Sequence, residues 1–300
     1  MQLKLLHLLL PLLAAVHSSR LPFELDPRAS SLVVIGAHHF GRDANDPTYE
    51  SVRDLPWKST VLVEASPTVA TELDSFVRTR NPTPKVPVDH VHVVRGGVIP
   101  GNRSVAPRNM LFYTFDTDAL PGLPFWATQI GSFNRFHVLK LLPTIAQSKS
   151  ASRYPPRTLR SHVKAVSVHA KPLELTLSDS GVSQAGLMII DTEGLDCSIV
   201  ASQKWGSSDT CWWRPNILIF ERFHCLPRDY LAARAALLNA AECPPRPGHR
   251  DSTKYVAVDE RHDSGQNAVF ALKPTLREGR WIEQSWLKWL GSEIKPPQPI

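Results

Sequence analysis

The chain of 300 residues lacks several patterns that would each indicate a class of protein. Its Lys and Arg residues are scattered, without a run of five or six and without interleaved aromatic residues, which argues against nucleic acid as a partner. Its four cysteines form no CxxC pair, which argues against a structural zinc site. No internal repeat is visible, and after the N-terminus no apolar run approaches the ~20 residues needed to cross a bilayer.

The composition is that of a globular protein. Hydrophobic residues make up 42% of the chain and charged residues 21%, with a formal net charge of +6. The 26 prolines cluster in loops such as Asn81–Pro84, which indicates stiffened connections. We therefore predict one domain over about residues 25–290, followed by a proline-containing tail at 291–300. The oligomeric state stays open.

The N-terminus has the pattern of a secretory signal peptide. Lys4 precedes an apolar run from Leu5 to Val16, and small residues follow near Ser18. We predict a signal peptide over residues 1–18 and a secreted or secretory-pathway protein whose mature form does not span the membrane. An uncleaved anchor and an organelle-targeting segment remain alternatives. In an oxidising compartment one or two disulfides could form, in a pairing that spacing does not reveal.

Short apolar runs predict buried strands of a mostly parallel sheet. They alternate with helical segments, in the order typical of α/β folds with parallel strands. The last two runs predict a closing antiparallel hairpin. The predicted strands are Ser31–Gly36, Thr60–Glu64, His90–Val94, Gly186–Asp191, Asn216–Glu221, Tyr255–Val258 and Ala268–Leu272; helices are predicted from Ser66-Pro67 to Arg78, over 194–202 and over 227–241.

The middle of the chain is less regular. It predicts a strand at Met110–Phe115, a short helix at Phe136–Ile145 and an extended segment at Val163–Leu175. Residues from about 98 to 160 mix proline, aromatic and polar residues without a clear period, and we predict that they form an irregular cover over the sheet. Phe125, Trp126 and Phe133 in this cover could stack on a sugar.

Polar or glycine-rich segments follow the predicted parallel strands, where open α/β sheets bind ligands. Glycine lets a backbone approach a cofactor, a carboxylate after the second strand can bind ribose hydroxyls, and a Gly-Gly pair leaves room for a flat base. These features together predict a nucleoside-bearing cofactor, while the absence of GxGxxG after the first strand argues against a dehydrogenase. The predicted cofactor-binding residues are Gly36, Ala37, Gly41, Glu64, Gly96 and Gly97.

Two segments resemble the FkbM family of S-adenosylmethionine-dependent methyltransferases. Met188–Asp196 is similar to the family's IDxEGxE/D segment, and Pro215–Glu221 resembles its next strand. Upstream, Val61–Pro67 is similar to its second strand and EPxP turn, with Ala65 in place of the first proline. The resemblance runs over about residues 31–272. It implies an α/β, Rossmann-like class I methyltransferase fold with a mostly parallel seven-stranded sheet and a closing antiparallel hairpin.

The resemblance also implies a chemistry. S-adenosylmethionine would donate a methyl group to a hydroxyl of a glycan or small metabolite, with the Gly36–Gly41 turn at the methionine portion and Glu64 at the ribose. Asp191 and Glu193 would be the catalytic residues, one of them taking the hydroxyl proton. A binding module with a degenerate cofactor site is the main alternative. Another nucleotide-dependent enzyme, such as a dehydrogenase or glycosyltransferase, is a third.

The histidines give weaker signals. His38 and His39 are adjacent, so in an extended turn their rings would point apart, and no further ligands lie at a usable spacing. We therefore predict no metal site. His137 and His224 are possible bases, although an isolated histidine is more often structural.

Overall fold

The computed structural model describes residues 27–40, 55–116, 118–124, 127, 130–148, 151, 153–243, 254–259 and 267–272. The predicted signal peptide, the predicted tail, Gly41, Phe125 and Trp126 lie outside these residues. No helix in the described ranges is long and apolar enough to cross a membrane.

The described chain is an α/β structure. A 3₁₀ helix at Val88–His90 precedes the third strand. The strands are β1 (Ser31–Ile35), β2 (Ser59–Glu64), β3 (Val91–Arg95), β4 (Gly97–Ile99), β5 (Arg108–Phe115), β6 (Gly131–Ser132), β7 (Val163–Pro172), β8 (Ala185–Ile190), β9 (Ile217–Glu221), β10 (Tyr255–Asp259) and β11 (Asn267–Leu272). The helices are α1 (Pro67–Arg80), α2 (Arg135–Lys140), α3 (Leu142–Gln147), α4 (Pro156–Ser161), α5 (Leu173–Asp179), α6 (Asp196–Ala201), α7 (Ser208–Cys211) and α8 (Pro227–Leu238).

The main sheet has seven strands in the order β10-β11-β9-β8-β1-β2-β3. The pairs β1–β2, β2–β3, β1–β8 and β8–β9 are parallel, whereas β11 runs antiparallel to both β9 and β10. The predicted mostly parallel sheet and its closing hairpin are therefore confirmed as an architecture. The parallel pairs place the carboxyl ends of β1, β2, β8 and β9 on one edge of the sheet.

The central strands are buried on both faces. Leu32 and Val34 of β1 pack in one hydrophobic cluster, while Val33 and Ile35 pack in the cluster on the opposite face. Because successive side chains of a strand point to opposite faces, a strand covered on both sides needs a continuous apolar run. The runs visible in the sequence therefore predicted these strands well.

Helix α1 begins where the sequence predicted. The hydroxyl of Ser66 accepts a hydrogen bond from the N–H of Val69 at 3.5 Å, and Pro67 occupies the first turn. The helix ends at Arg80, two residues later than predicted, where Asn81 adopts a left-handed conformation with φ 42°.

The region predicted as an irregular cover contains a second sheet. Its order is β4-β7-β5-β6, and β5 pairs with β7 antiparallel from Arg108↔Ala170 to Phe115↔Val163. Nine buried residues, including Phe115 and Ile145, form a separate hydrophobic cluster here. The strand at Met110–Phe115 and the extended segment at Val163–Leu175 were predicted, but their pairing into a sheet was not, because the partner strands lie far apart in sequence.

Two other predictions in this region need correction. The helix predicted over Phe136–Ile145 is divided between α2 and α3, and Pro143 lies in the first turn of α3. A proline there cannot donate a backbone hydrogen bond to the preceding turn, which favours a break. The segment predicted to be extended to Leu175 ends at Pro172, after which α5 begins.

Candidate functional site

The candidate site lies at the carboxyl edge of the main sheet, where the loops after β1, β2, β8 and β9 meet. The N–H of Asp191, just after β8, donates to the carbonyl of Ile35 at the end of β1 at 2.8 Å. Gly36 has φ 80°, and a Cβ placed on it would overlap the carbonyl group of Asp191. The glycine therefore allows the turns after β1 and β8 to touch.

The turn after β8 is held in an unusual backbone conformation. Glu193 has φ 53° and Gly194 has φ 115°, both in the region that side chains disfavour. Asp196, fully buried at the start of α6, accepts hydrogen bonds from the N–H groups of Thr192 at 2.9 Å and Gly194 at 3.2 Å. Ser132 donates its hydroxyl hydrogen to the carbonyl of Glu193 at 2.8 Å. These contacts fix the direction of the Glu193 side chain.

Glu193 contacts two histidines from distant parts of the chain. Its Oε2 lies 2.7 Å from Nε2 of His137 on α2 and 3.5 Å from Nε2 of His224 in the loop after β9. The two imidazole rings are edge to face with centroids 4.2 Å apart, and their side chains are 2% and 7% exposed. We call His137, Glu193 and His224 the His-Glu-His cluster.

Lys140 determines which nitrogen of His224 carries the proton. Its ammonium Nζ lies 3.1 Å from Nδ1 of His224. Because an ammonium can only donate, Nδ1 accepts, and the proton of a neutral ring is on Nε2, facing the carboxylates. Burial lowers the pKa of His224 to about 4, with Glu193 opposing the shift, so the ring is neutral near pH 7.

Glu221 adds a second carboxylate beside the cluster. Its Oε1 lies 3.6 Å from Nε2 of His224, and its Oε2 is buried with no hydrogen-bond partner among the described residues. Burial, together with the charges of Asp191, Glu193 and Asp196, raises the pKa of Glu221 to about 11. Glu221 is therefore protonated near pH 7, beside the other carboxyl groups at this end of β8 and β9.

The pKa of Asp196 is also raised. Burial is the largest cause and brings the pKa to about 6, while the hydrogen bonds from the backbone of Thr192 and Gly194 act in the opposite direction. The charge of Glu193 adds to the increase. Asp196 thus holds the turn in place, although burying its charged carboxyl group is energetically unfavourable.

Glu64, predicted to bind a ribose, is 6% exposed at the end of β2. Its Oε2 accepts the N–H of His38 at 2.8 Å, and its Oε1 accepts the N–H of Ser66 at 2.7 Å. Burial raises the pKa of this carboxyl, although both N–H groups favour its charged form. Glu64 therefore joins the turns after β1 and β2 through backbone N–H groups.

The turn after β1 is not extended. His38 has φ 44°, and the rings of His38 and His39 lie edge to face with Nδ1 atoms 3.1 Å apart. His39 also contacts Glu72 of α1 through Nε2 at 2.7 Å. The two rings therefore do not point apart, as they would in an extended turn.

The Gly96-Gly97 pair does not leave the room predicted for a flat base. A Cβ on Gly97 would overlap the ring of Phe133, and a Cβ on Gly96 would lie 2.8 Å from the carbonyl oxygen of His169. The ring of Phe133 also packs against Phe112, with centroids 5.2 Å apart. These glycines allow β4 and the residue before it to lie close to Phe133 and to β7 in the second sheet, and Phe133 packs against protein on this side.

One of the two disulfides lies beside the site. Cys197 of α6 is bonded to Cys225, with Cα atoms 5.9 Å apart, which joins the segment after Glu193 to the loop that carries His224. Cys211 is bonded to Cys243, with Cα atoms 5.5 Å apart. Both bonds are compatible with an oxidising compartment. The sequence left the pairing open, and the structure joins Cys197 to Cys225 and Cys211 to Cys243.

The structure thus brings together the turn at Gly36 and Ala37, the Glu64 carboxylate and the Asp191–Gly194 segment. It also adds His137, His224, Glu221 and Asp196, which sequence reasoning either left aside or did not identify. Two histidines and a carboxylate are ligands that bind divalent transition metals, although we predicted no metal site. The sequence did not predict this cluster, because nothing in the spacing of the two histidines indicates that they share one carboxylate.

No protein-family model, curated protein or solved structure matches the chain in comparisons with known proteins.

Proposed function

We propose that the protein is an S-adenosylmethionine-dependent O-methyltransferase of the FkbM type, acting on a hydroxyl of a glycan or small metabolite. The observation that carries the proposal is the position of Glu193. Its carboxylate lies at the carboxyl edge of the sheet, where open α/β folds bind ligands, next to the turn that follows β1. The seven strands and closing antiparallel hairpin also support a class I methyltransferase fold.

The donor side fits this cofactor in part. The turn at Gly36 and Ala37 would face the methionine portion, and the acceptor capacity of the Glu64 carboxylate that backbone N–H groups do not use would bind the ribose. Phe133 and the second sheet occupy the space next to Gly96-Gly97, so we assign no contact with the base to that pair. Bound there, S-adenosylmethionine would supply a methyl group attached to a positively charged sulfur.

Glu193 is suited to receive the proton of an acceptor hydroxyl. His137 holds Oε2 by a 2.7 Å hydrogen bond, while Oε1 makes no hydrogen bond with the described residues. The Glu193 side chain is 28% exposed, so a ligand can reach this residue. The hydroxyl oxygen would form the new bond to the methyl carbon, its proton would pass to Oε1, and the carbon–sulfur electron pair would remain on sulfur.

Calorimetric titration with S-adenosylmethionine tests the donor side. We expect one molecule to bind per chain, with Glu64→Ala weakening binding at least tenfold and Glu193→Gln leaving it within about twofold. Glu242→Gln, an exposed carboxylate paired with Lys254, is the matched control and should bind normally. Absence of binding to the unaltered protein at high micromolar concentrations would exclude the enzyme.

Transfer of a labelled methyl group to a panel of glycans and hydroxyl metabolites tests the acceptor side. Glu193→Gln should lower turnover by about 10²–10⁴-fold, the range of general acid–base catalysis, with donor binding retained. Full turnover by this variant would remove Glu193 from the catalytic residues.

The main alternative is a binding module with the same architecture and a degenerate cofactor site. It is favoured by the use of Glu64, Gly36 and Gly97 in contacts within the protein. Binding of a glycan without binding of S-adenosylmethionine would support this alternative.

A further inference from the structure

We propose that His137, Glu193 and His224 bind a divalent transition-metal ion, with zinc as the reference ion. The ligand atoms that these side chains offer lie within 4.8 Å of one another. The imidazole nitrogens and the carboxylate oxygen are the ligand types that zinc, iron, cobalt and nickel accept. The chain brings the three ligands from α2, the turn after β8 and the loop after β9.

Two of the three separations between ligand atoms lie close to those in a metal coordination sphere. Ligands about 2.1 Å from a metal lie about 3.0 Å apart in octahedral and about 3.4 Å apart in tetrahedral geometry. The observed separations from Glu193 Oε2 are 2.7 Å to His137 Nε2 and 3.5 Å to His224 Nε2. An ion can therefore enter after small side-chain movements that leave the backbone in place.

Glu221 provides an independent observation for a cation at this place. Its Oε1 is 3.6 Å from His224 Nε2, which again is a ligand–ligand distance. Its buried Oε2 has no hydrogen-bond partner in the described part of the chain, and buried polar atoms are usually satisfied. Glu221 would therefore be the fourth ligand, or would receive a hydrogen bond from a water bound to the ion.

Lys140 is the group that an entering metal must move. Its ammonium donates to Nδ1 of His224, which keeps the ring proton on Nε2. Coordination through Nε2 requires that proton to be on Nδ1, where it would face the ammonium. Lys140 is exposed, so its side chain can turn into solvent. Removing its charge should therefore strengthen metal binding, which an ordinary ion-pair network would not predict.

The metal site would add a role to the proposed methyltransferase site, but metal binding does not depend on methyl transfer. If the protein transfers methyl groups, a metal at Glu193 Oε2 would also coordinate the acceptor hydroxyl and favour loss of its proton to Oε1. Metal binding is measured without S-adenosylmethionine. Failure of the metal proposal and failure of the methyltransferase proposal are therefore separate results.

Cobalt and zinc titrations of the chelator-treated, untagged protein test the site. We expect one ion per chain, a visible absorption band with Co²⁺ that reports nitrogen and oxygen ligation, and displacement of Co²⁺ by Zn²⁺. His224→Gln and Glu193→Gln should each weaken binding by at least 100-fold, because removing a direct ligand costs more than removing an outer partner. Circular dichroism verifies that each variant is folded.

His169→Gln is the matched control, since this exposed histidine on β7 lies outside the cluster and faces Asn109. It should bind as the unaltered protein does. Lys140→Met should strengthen binding by about threefold to tenfold, the size expected for a nearby like charge. The proposal is overturned if the unaltered protein takes up no ion, or if folded His224→Gln and Glu193→Gln proteins retain its affinity.

Discussion

The carboxyl edge of the main sheet has a glutamate at the end of β2 and another at the end of β9, and the two carboxyl groups differ in their hydrogen-bond partners. Glu64 ends β2, and backbone N–H groups occupy both of its oxygens. Glu221 ends β9, and one of its oxygens is buried without a partner in the described structure, among three other carboxylates. Backbone donors therefore hold the carboxylate of the β1–β2 half, whereas the β8–β9 half has a buried carboxyl oxygen without a hydrogen-bond partner in the described structure. Strand-end position alone does not define a carboxylate's role.

Among the variants that test this comparison, we expect the largest effect on stability from removing a disulfide. Removing either pair, as Cys197→Ala/Cys225→Ala or Cys211→Ala/Cys243→Ala, should lower the free energy of unfolding by roughly 3–4 kcal/mol, because the closed loops have similar sequence separations of 28 and 32 residues. Urea unfolding measures this loss.

Only the first disulfide joins α6 to the loop of His224. Its removal should also weaken Co²⁺ binding about tenfold or more in protein that is still folded, whereas removal of the second should leave affinity unchanged. If removing either disulfide changes the Co²⁺ affinity equally, the bond between α6 and the loop of His224 is not what holds the metal ligands in place.

The two strand-end glutamates should respond with opposite signs to the same substitution. Glu64→Gln replaces one acceptor oxygen by an N–H₂ group and should lower the free energy of unfolding by about 1–3 kcal/mol at pH 7. Glu221→Gln removes a carboxyl that is buried among like charges, and should raise it by about 1–3 kcal/mol in metal-free protein.

The sign for Glu221 follows from its pKa. A folded-state pKa of about 11, above the ordinary 4.5, gives stability that is complete below pH 4.5 and decreases as the pH rises above that value. Urea unfolding in the presence of chelator measures both variants. A decrease for Glu221→Gln equal to that for Glu64→Gln would remove the distinction between the two halves.

Asp196→Asn should have the smallest effect, and one that depends on pH. The pKa of Asp196 rises from 3.8 to about 6 through burial, so the unaltered protein loses stability between pH 4 and 6 as this group ionises. Asparagine lacks that ionisation but also lacks one of the two acceptor oxygens that bind Thr192 and Gly194.

The variant should therefore be less stable than the unaltered protein at pH 4, and the difference should narrow by about 1–2 kcal/mol by pH 6.5. Thermal or urea unfolding at both pH values measures it. A stability difference that stays constant with pH would show that burial does not raise the pKa of Asp196 in the folded protein.

The sequence predicted the parts of the fold whose signal is local. The apolar runs of β1, β2, β8 and β9 identified strands buried on both faces, and Ser66-Pro67 identified the start of α1. The segments of β5 and β7 were predicted, but their pairing into a second sheet was missed because they pair across a long, proline-containing connection. Local pattern does not indicate which distant segment will supply the hydrogen bonds.

The candidate site also contains residues that the sequence predicted and residues that it did not. Glu193 and Glu64 stood out because each follows a recognisable strand, at the edge where parallel strands end. His137 and His224 were set aside as isolated histidines, although both contact Glu193. His137 is 56 residues away from Glu193 and lies on a six-residue helix in the region that the sequence left irregular.

By itself the sequence determined the parallel strands, their closing hairpin and the carboxylates at their ends, because burial on both faces and the turns that follow a strand leave local signatures. The tertiary structure alone decided that Phe133 fills the space beside Gly97, that backbone amides bind Glu64, and that two histidines share Glu193. Those outcomes depend on contacts between distant segments, whose geometry is fixed only when the two sheets pack together.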